Sequence, residues 1–290
     1  MSDPRLTPAN SRIAHVSRAG RSDLPLTEGR RARVTAPVLD LFCHPGPGQR
    51  LDRQLIRGQP FVILDEAAGQ SFGFLPDPEG RVLYAGHVAT KGLAPDPAPE
   101  HPPSHHIRAP RSLAFAAPDL KTPNPVALSG GSVLRVTGRE GQFAELDCGR
   151  FIPHIHLCAL DDPAPDPVTV AEGYLGTPYL WGGNSGFGID CSGLISAAWS
   201  AMGRSCPMDS DLQQDLPGQR LDADAAPQRG DLLFWRGHVA LVMDARMMIH
   251  ANAHHMAVAA EPIVTAIARI EAQGGGPVTL HLRPSSPTSP

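Results

Sequence analysis

Apolar positions in this chain change their spacing midway. From about 31 to 93 they come as short runs broken by turn residues: Arg33-Val34-Thr35-Ala36-Pro37-Val38, Phe61-Val62-Ile63-Leu64-Asp65, Ser71-Phe72-Gly73-Phe74-Leu75 and Arg81-Val82-Leu83-Tyr84. Short strands with turns roughly every 8–12 residues predict a small barrel or sandwich. From about 105 to 160 the pattern returns. His106-Ile107-Arg108-Ala109-Pro110 echoes Val34-Thr35-Ala36-Pro37, and Ser132-Val133-Leu134-Arg135-Val136-Thr137-Gly138 echoes the run from Pro60 to Asp65. This weak internal repeat predicts two small β domains in tandem.

Beyond 168 the spacing becomes helical. Val168 to Leu175 predicts one helix, and a glycine-rich loop runs from Gly176 through Gly188. Leu194, Ile195, Ala198, Trp199 and Met202 then fall on one helical face, with Gly203 as the stop. Three runs follow as successive antiparallel strands: Gly230 to Trp235, His238 to Met243 and Met247 to Ala251. A helix followed by strands is an α+β pattern.

Composition sharpens the boundaries. The chain has 290 residues and 31 prolines, and the prolines crowd into the part before 168. Ala94 to Pro103 and Asp162 to Pro167 look like stiff polyproline-type spacers. The expected layout is an arm over 1–30, a β domain over 31–93, a linker over 94–104, a second β domain over 105–161, a linker over 162–168 and a catalytic domain over 169–290. A net charge of −4 offers no general attraction to nucleic acid. No stretch approaches the roughly 18 apolar residues of a membrane span. Met1 to Thr7 lacks the apolar region of a secretory signal, and five cysteines, an odd number, do not make a disulfide framework. The expectation is a cytoplasmic chain with reduced thiols and no membrane insertion, a monomer in the favoured case.

The candidate chemistry sits beyond 168. A cysteine is reactive as its thiolate, which a helix N-terminus or a nearby imidazole favours. Cys191 directly precedes the helical run, with Asp190 and Ser192 as capping-type neighbours. His238 opens one strand and His250 lies on the next, so the two rings can be neighbours on one face of a hairpin. Nucleophile, base and orienting third group is the arrangement of nucleophilic catalysis.

Four ordered motifs carry a resemblance: Pro178-Tyr179-Leu180-Trp181-Gly182-Gly183, Asp190-Cys191-Ser192-Gly193-Leu194, Gly230-Asp231-Leu232-Leu233-Phe234-Trp235 with His238-Val239, and Met248-Ile249-His250-Ala251. Over about 168–282 the chain resembles the NlpC/P60 family of cysteine peptidases, and the upstream repeat is similar to bacterial SH3-like domains. The fold class implied is α+β, a papain-like catalytic domain preceded by two small all-β SH3-like barrels. Members with this layout resemble γ-D-glutamyl-L-diamino acid endopeptidases that trim murein stem peptides during cell-wall recycling. The resemblance implies a Cys191–His238–His250 triad, and a Tyr179 hydroxyl that helps the Cys191 amide bind the oxyanion. It implies that Asp190, Ser192 and Ser210 bind substrate, the first two at the free amino end of the stem peptide. It gives Tyr84 as the tyrosine lent by the first SH3-like domain, and leaves an acidic partner unplaced. The chain departs from the family at Met208, where arginine is usual. The expected partners are short murein peptides with a free N-terminal L-Ala, and no cofactor or metal is expected.

Simpler roles stand beside these. Tyr179 and Tyr84 also read as core aromatics, Asp190 and Ser192 as helix caps, and Ser210 as the cap of a helix from Asp211. His154, His156 and Cys158 alternate along an expected strand near Cys148, but the spacing matches no standard zinc site. His101, His105 and His106 are expected to be solvated in the spacer, and Cys43, Cys148, Cys158 and Cys206 to be buried or half-buried thiols. Two other functions fit the same residues: a peptidoglycan-fragment binding or adaptor protein, and an amidase or acyltransferase on the same fold.

Overall fold

Val34 and Ile107 occupy equivalent places in two copies of one hydrogen-bond pattern. The Val34 amide donates to Gln59 O at 3.0 Å while its carbonyl accepts from Gly58 N at 2.8 Å; Ile107 does the same with Ser132 O (2.9 Å) and Gly131 N (2.8 Å). Gly58 and Gly131 both have positive φ, +86° and +79°, which glycine adopts without strain. In each copy a 3-10 turn (Thr90–Gly92, His154–His156) leads into a short strand (Leu93–Pro95, Leu157–Ala159) that pairs antiparallel with the first segment. The two copies anticipated in the sequence therefore share this hydrogen-bonded corner.

The computed structural model describes residues 3–46, 48–96, 101–222 and 225–285, so the middle of the proline-rich linker 94–104 lies outside the described residues. The chain divides into two compact units, Met1–Asp162 and Pro163–Pro290. In the first unit the first copy is a seven-stranded antiparallel sheet, ordered Arg53–Ile56, Val38–Phe42, Val82–Ala89, Gln70–Pro76, Pro60–Ala67, Arg30–Val34 and Leu93–Pro95. The expected strand 33–38 is really the end of one strand and the start of another. Pro37 has no N–H for the ladder, and Thr35 and Ala36 turn their amides to Gly92 O instead. Residues 3–30 are tied to this sheet: Asn10 and Arg12 both donate to Asp65, and Ala14 is fully buried.

The second copy has its own core of Ile107, Leu128, Leu134, Leu146, Ile152 and Leu157. Its expected strand 132–138 is split, Val133–Leu134 and Val136–Glu140 joining different sheets. Three further expectations do not hold. His154 and His156 lie in the 3-10 turn rather than along a strand, so they do not share a face with Cys158. His105 and His106 are half-buried in the strand His105–Ile107, because that segment takes the place of Ala32–Val34 in the repeat, and only His101 is exposed. Cys148 is exposed rather than buried, at the turn before the Phe151–Pro153 strand.

The second unit starts from α1 (Pro167–Gly173), where the Asp166 side chain accepts from Thr169 N and proline takes the first turn. The spacer thus ends one residue before Pro167, and Val168 is core rather than linker. α2 (Cys191–Ala201) buries Leu194, Ile195, Ala198 and Trp199 and stops at Gly203, φ +70°. α3 (Ser210–Gln213) and α4 (Ile263–Ala272) complete the helices among the described residues. They pack with a six-stranded antiparallel sheet ordered Gly218–Leu221, Leu280–Pro284, Leu232–Trp235, His238–Val242, Met247–Asn252 and Ala257–Pro262. Side chains alternate along each strand. Leu232, Phe234, Val239 and Leu241 join the α1–α2 core, while Leu233, Trp235, Ala240 and Val242 join a second core under α4. Burial on both faces explains why these strands are continuously apolar. Among the described residues no helix is long and apolar enough to cross a membrane.

Candidate active site

Cys191 is the first residue of α2 and is 7% exposed. Its position is set by Asp190, whose Oδ1 accepts from Gly193 N (2.7 Å) and Ser192 Oγ (3.0 Å) and whose Oδ2 accepts from Gly182 N (3.0 Å). One carboxylate therefore joins the helix start to the glycine-rich loop. That loop needs its glycines for close approach: a Cβ on Gly193 would meet Gly183 O at 2.3 Å. Tyr179 is half-buried against the core that holds Cys191, and pairs in parallel with Ile189, two residues before the cysteine. The helix dipole and first-turn amides at Cys191 favour negative charge there.

α2 packs against the strands that carry the two histidines. His238 Nε2 lies 2.8 Å from His250 Nδ1, and His250 Nε2 lies 2.7 Å from Glu261 Oε1. Glu261 comes from the neighbouring strand, two residues along from the position paired with His250. Arg269 of α4 also donates to Glu261 Oε1, at 2.5 Å. Burial would raise the Glu261 carboxyl, but the hydrogen bonds from His250 and Arg269 outweigh it and hold it at about 2. Burial first, and then the repulsion a protonated ring would meet from Arg269 and from any charge on His250, lowers His238 to about 3. Burial also lowers His250, outweighing the Glu261 hydrogen bond. Both imidazoles are thus neutral at neutral pH, the state in which a ring can accept a proton.

Residues 176–269 match the model of the NlpC/P60 family. The chain carries an NlpC/P60 domain. Dipeptidyl-peptidase 6 of Lysinibacillus sphaericus is 42% identical over 85 residues, 29% of this chain and 31% of that protein. The gamma-D-glutamyl-L-lysine dipeptidyl-peptidase of Bacillus subtilis strain 168 is 40% identical over 97 residues, 30% of this chain and 32% of that protein. The matched stretch thus spans about a third of the length of these curated relatives. The fold likeness reaches further: a crystal structure of an NlpC/P60 family protein from Bacillus cereus superposes with a TM-score of 0.71, at 20% identity, over 87% of this chain and 99% of that one.

The other anticipated residues have definite places. Ser210 opens α3 and is buried, with Asp209 rather than Ser210 at the cap position. Met208, where the resemblance led to the expectation of an arginine, is 3% exposed and so is a buried apolar side chain. Tyr84 is buried too, but in the other unit, on the strand Val82–Ala89 opposite Leu75. His156 bonds Ser112 Oγ (2.8 Å) and the Cys158 thiol faces Asp162, so neither is turned to a common metal. Among the described residues no group of three or more His, Cys, Asp or Glu is placed to hold a metal ion.

Sequence reasoning missed Glu261, Arg269 and Gln213. Gln213 Nε2 donates to Ser192 O (2.9 Å) and Pro207 O (2.8 Å), fastening α3 to the start of α2. Nothing in the motifs marks these three. For Glu261 the available signal is a lone acid in an apolar strand, next to the strand of His250.

Proposed function

We propose that this chain is a cysteine peptidase that hydrolyses the γ-D-glutamyl-L-diamino acid amide bond of short murein stem peptides. The observation that carries the reading is the His238–His250 pair at 2.8 Å, on strands packed against the helix that begins at Cys191. In this reading neutral His238 takes the Cys191 thiol proton, and the thiolate attacks the γ-carbonyl to form the C–S bond of a tetrahedral intermediate. Tyr179 and the Cys191 amide stabilise the oxyanion, and the C–N bond breaks as protonated His238 delivers its proton to the leaving amine. Neutral His238 then takes a proton from water, which attacks the thioester; the C–S bond breaks, and His238 returns the proton to the Cys191 sulfur. The relatives named gamma-D-glutamyl-L-lysine dipeptidyl-peptidase support this choice of bond.

The finer reading takes the two β repeats as SH3-like domains, and the substrates as peptides with a free N-terminal L-Ala released during cell-wall recycling in the cytoplasm. Asp190, Ser192, Ser210 and Tyr84 are the residues assigned to substrate. The test uses defined murein tripeptides with mass detection. The wild-type chain should release the diamino acid from the free tripeptide, Cys191→Ala should not, and N-acetylation should slow cleavage. Turnover by Cys191→Ala would remove the nucleophile, and equal rates for free and acetylated peptide would remove the amino-end selectivity.

A further inference from the structure

His238, His250, Glu261 and Arg269 form one line of polar contacts from three adjacent strands to α4. Its far end decides its direction. Arg269 can only donate, and both its NH2 group and His250 Nε2 converge on the same oxygen, Glu261 Oε1. An ionised carboxylate can only accept. His250 must therefore carry its proton on Nε2, and a neutral ring protonated there presents a bare Nδ1. That Nδ1 is 2.8 Å from His238 Nε2, so His238 donates from Nε2 and keeps its lone pair on Nδ1.

We infer that Glu261, held ionised by Arg269, is a positioning residue that sets the tautomers of both histidines and so fixes Nδ1 as the basic nitrogen of His238. The inference rests on the proposed catalytic role of His238 only for its kinetic consequence, since the tautomers are a property of the resting protein. The polarity survives the proton transfer of the reaction, because protonated His238 still donates from Nε2. The other titratable group facing Glu261 is His255, whose Nδ1 lies 4.0 Å from Oε1 while bonding Asn252 Oδ1 at 3.0 Å. His255 is a side approach to the carboxylate rather than a member of the line.

A glutamine at 261 is nearly the same shape but carries no negative charge, so it weakens the bias on the His250 proton without removing the contact. Tautomers are read directly from imidazole nitrogen-15 shifts of the full-length chain at pH 7, in a Cys191→Ala background that keeps His238 neutral. The expected result is Nε2–H for both rings, and mixed tautomers for both once Glu261→Gln is added. In the otherwise native chain, Glu261→Gln should lower kcat for the tripeptide by roughly 10–100-fold with KM little changed. Glu261→Asp should recover part of the loss. An Nδ1–H tautomer at His250 in the Cys191→Ala chain overturns the inference by itself, even if Glu261→Gln does not fold. Unchanged shifts or unchanged kcat in a folded Glu261→Gln also overturn it. Failure of the wild-type chain to cleave any murein peptide sinks the proposed function while leaving the tautomer result standing.

Discussion

Asp190 Oδ1 accepts the Gly193 amide at 2.7 Å, and the residue between them in the first turn of α2 that matters most is Cys191. The same carboxylate holds Gly182 N through its other oxygen. Replacing Asp190 with alanine removes a helix cap and leaves buried donors on Gly182, Ser192 and Gly193 with one acceptor fewer. A lost cap costs about 1–2 kcal/mol and each buried hydrogen bond about 1 more, so Asp190→Ala should lose roughly 2–4 kcal/mol. Asp190→Asn keeps the acceptor toward Gly193 and should retain about half of that stability. If Asp190 also binds the substrate amine, the asparagine variant should show a raised KM for free tripeptide and little change for its acetylated form. Denaturant melts and the two KM values separate capping from binding.

His238 and His250 make stability fall as pH falls. In the unfolded chain each titrates near 6.5, whereas burial holds His238 at about 3 and lowers His250. Between about 6.5 and the folded value the unfolded state binds more protons, so stability rises with pH across that window and is lost on acidification. Each histidine that stays neutral contributes a slope approaching 1.4 kcal/mol per pH unit. Melting of the second unit should therefore drop from pH 7 to pH 5, above the range where Glu261, normally near 4.5, begins to take up protons. His238→Asn should flatten that drop. An equally steep drop in the variant would place the proton uptake elsewhere.

Local pattern in the sequence is a sufficient guide where neighbours along the chain decide structure. Leu194, Ile195, Ala198 and Trp199 specify the buried face of α2, and the Ala-Pro endings at Pro37 and Pro110 mark equivalent corners of the repeat. It faltered where a long-range bond decides. Arg135 separates Val133–Leu134 from Val136–Glu140 because its carbonyl accepts Asp147 N and the chain changes sheet there. The candidate pair Cys191 and His238 was legible because cysteine and histidine stand out chemically. Glu261 and Arg269 were not, since charged residues at strand and helix positions are common and only the fold sets them beside His250.

Gly58 offers a test of how the two β repeats are joined. At φ +86° its added Cβ would sit 2.0 Å from Val133 O, next to the bond from Val133 N to Arg57 O. Gly58→Ala combines an unfavourable backbone conformation with a backbone clash that no rotamer relieves. The variant should lower the melting temperature of the first unit by roughly 4–8 °C, the effect of about 2 kcal/mol on a domain of this size. A Gly69→Ala control also has positive φ, +76°, but meets no atom within 4 Å, and should cost less. Equal losses for the two would mean that the turn conformation alone matters and the Val133 contact does not.

Asp231 carries a second buried network, on the opposite flank of the six-stranded sheet. Its Oδ2 is 2.8 Å from His281 Nε2, Arg283 bonds both oxygens at 2.8 and 2.9 Å, and Gln228 N donates to Oδ2 at 2.8 Å. Burial alone would raise this carboxyl, but the hydrogen bonds from Arg283, Gln228 and His281 outweigh it and lower it. Removing one partner of such a network leaves the others desolvated and unpaired, at a cost of about 3–5 kcal/mol. Asp231→Ala should therefore lose that much stability to denaturant. Asp231→Asn should lose less, since its carbonyl still accepts from one partner. Arg283→Met, which removes the more exposed cation, should cost less again, and a variant order with Arg283→Met the worst would mean that the guanidinium rather than the carboxylate anchors the strand Leu280–Pro284 to Leu232–Trp235.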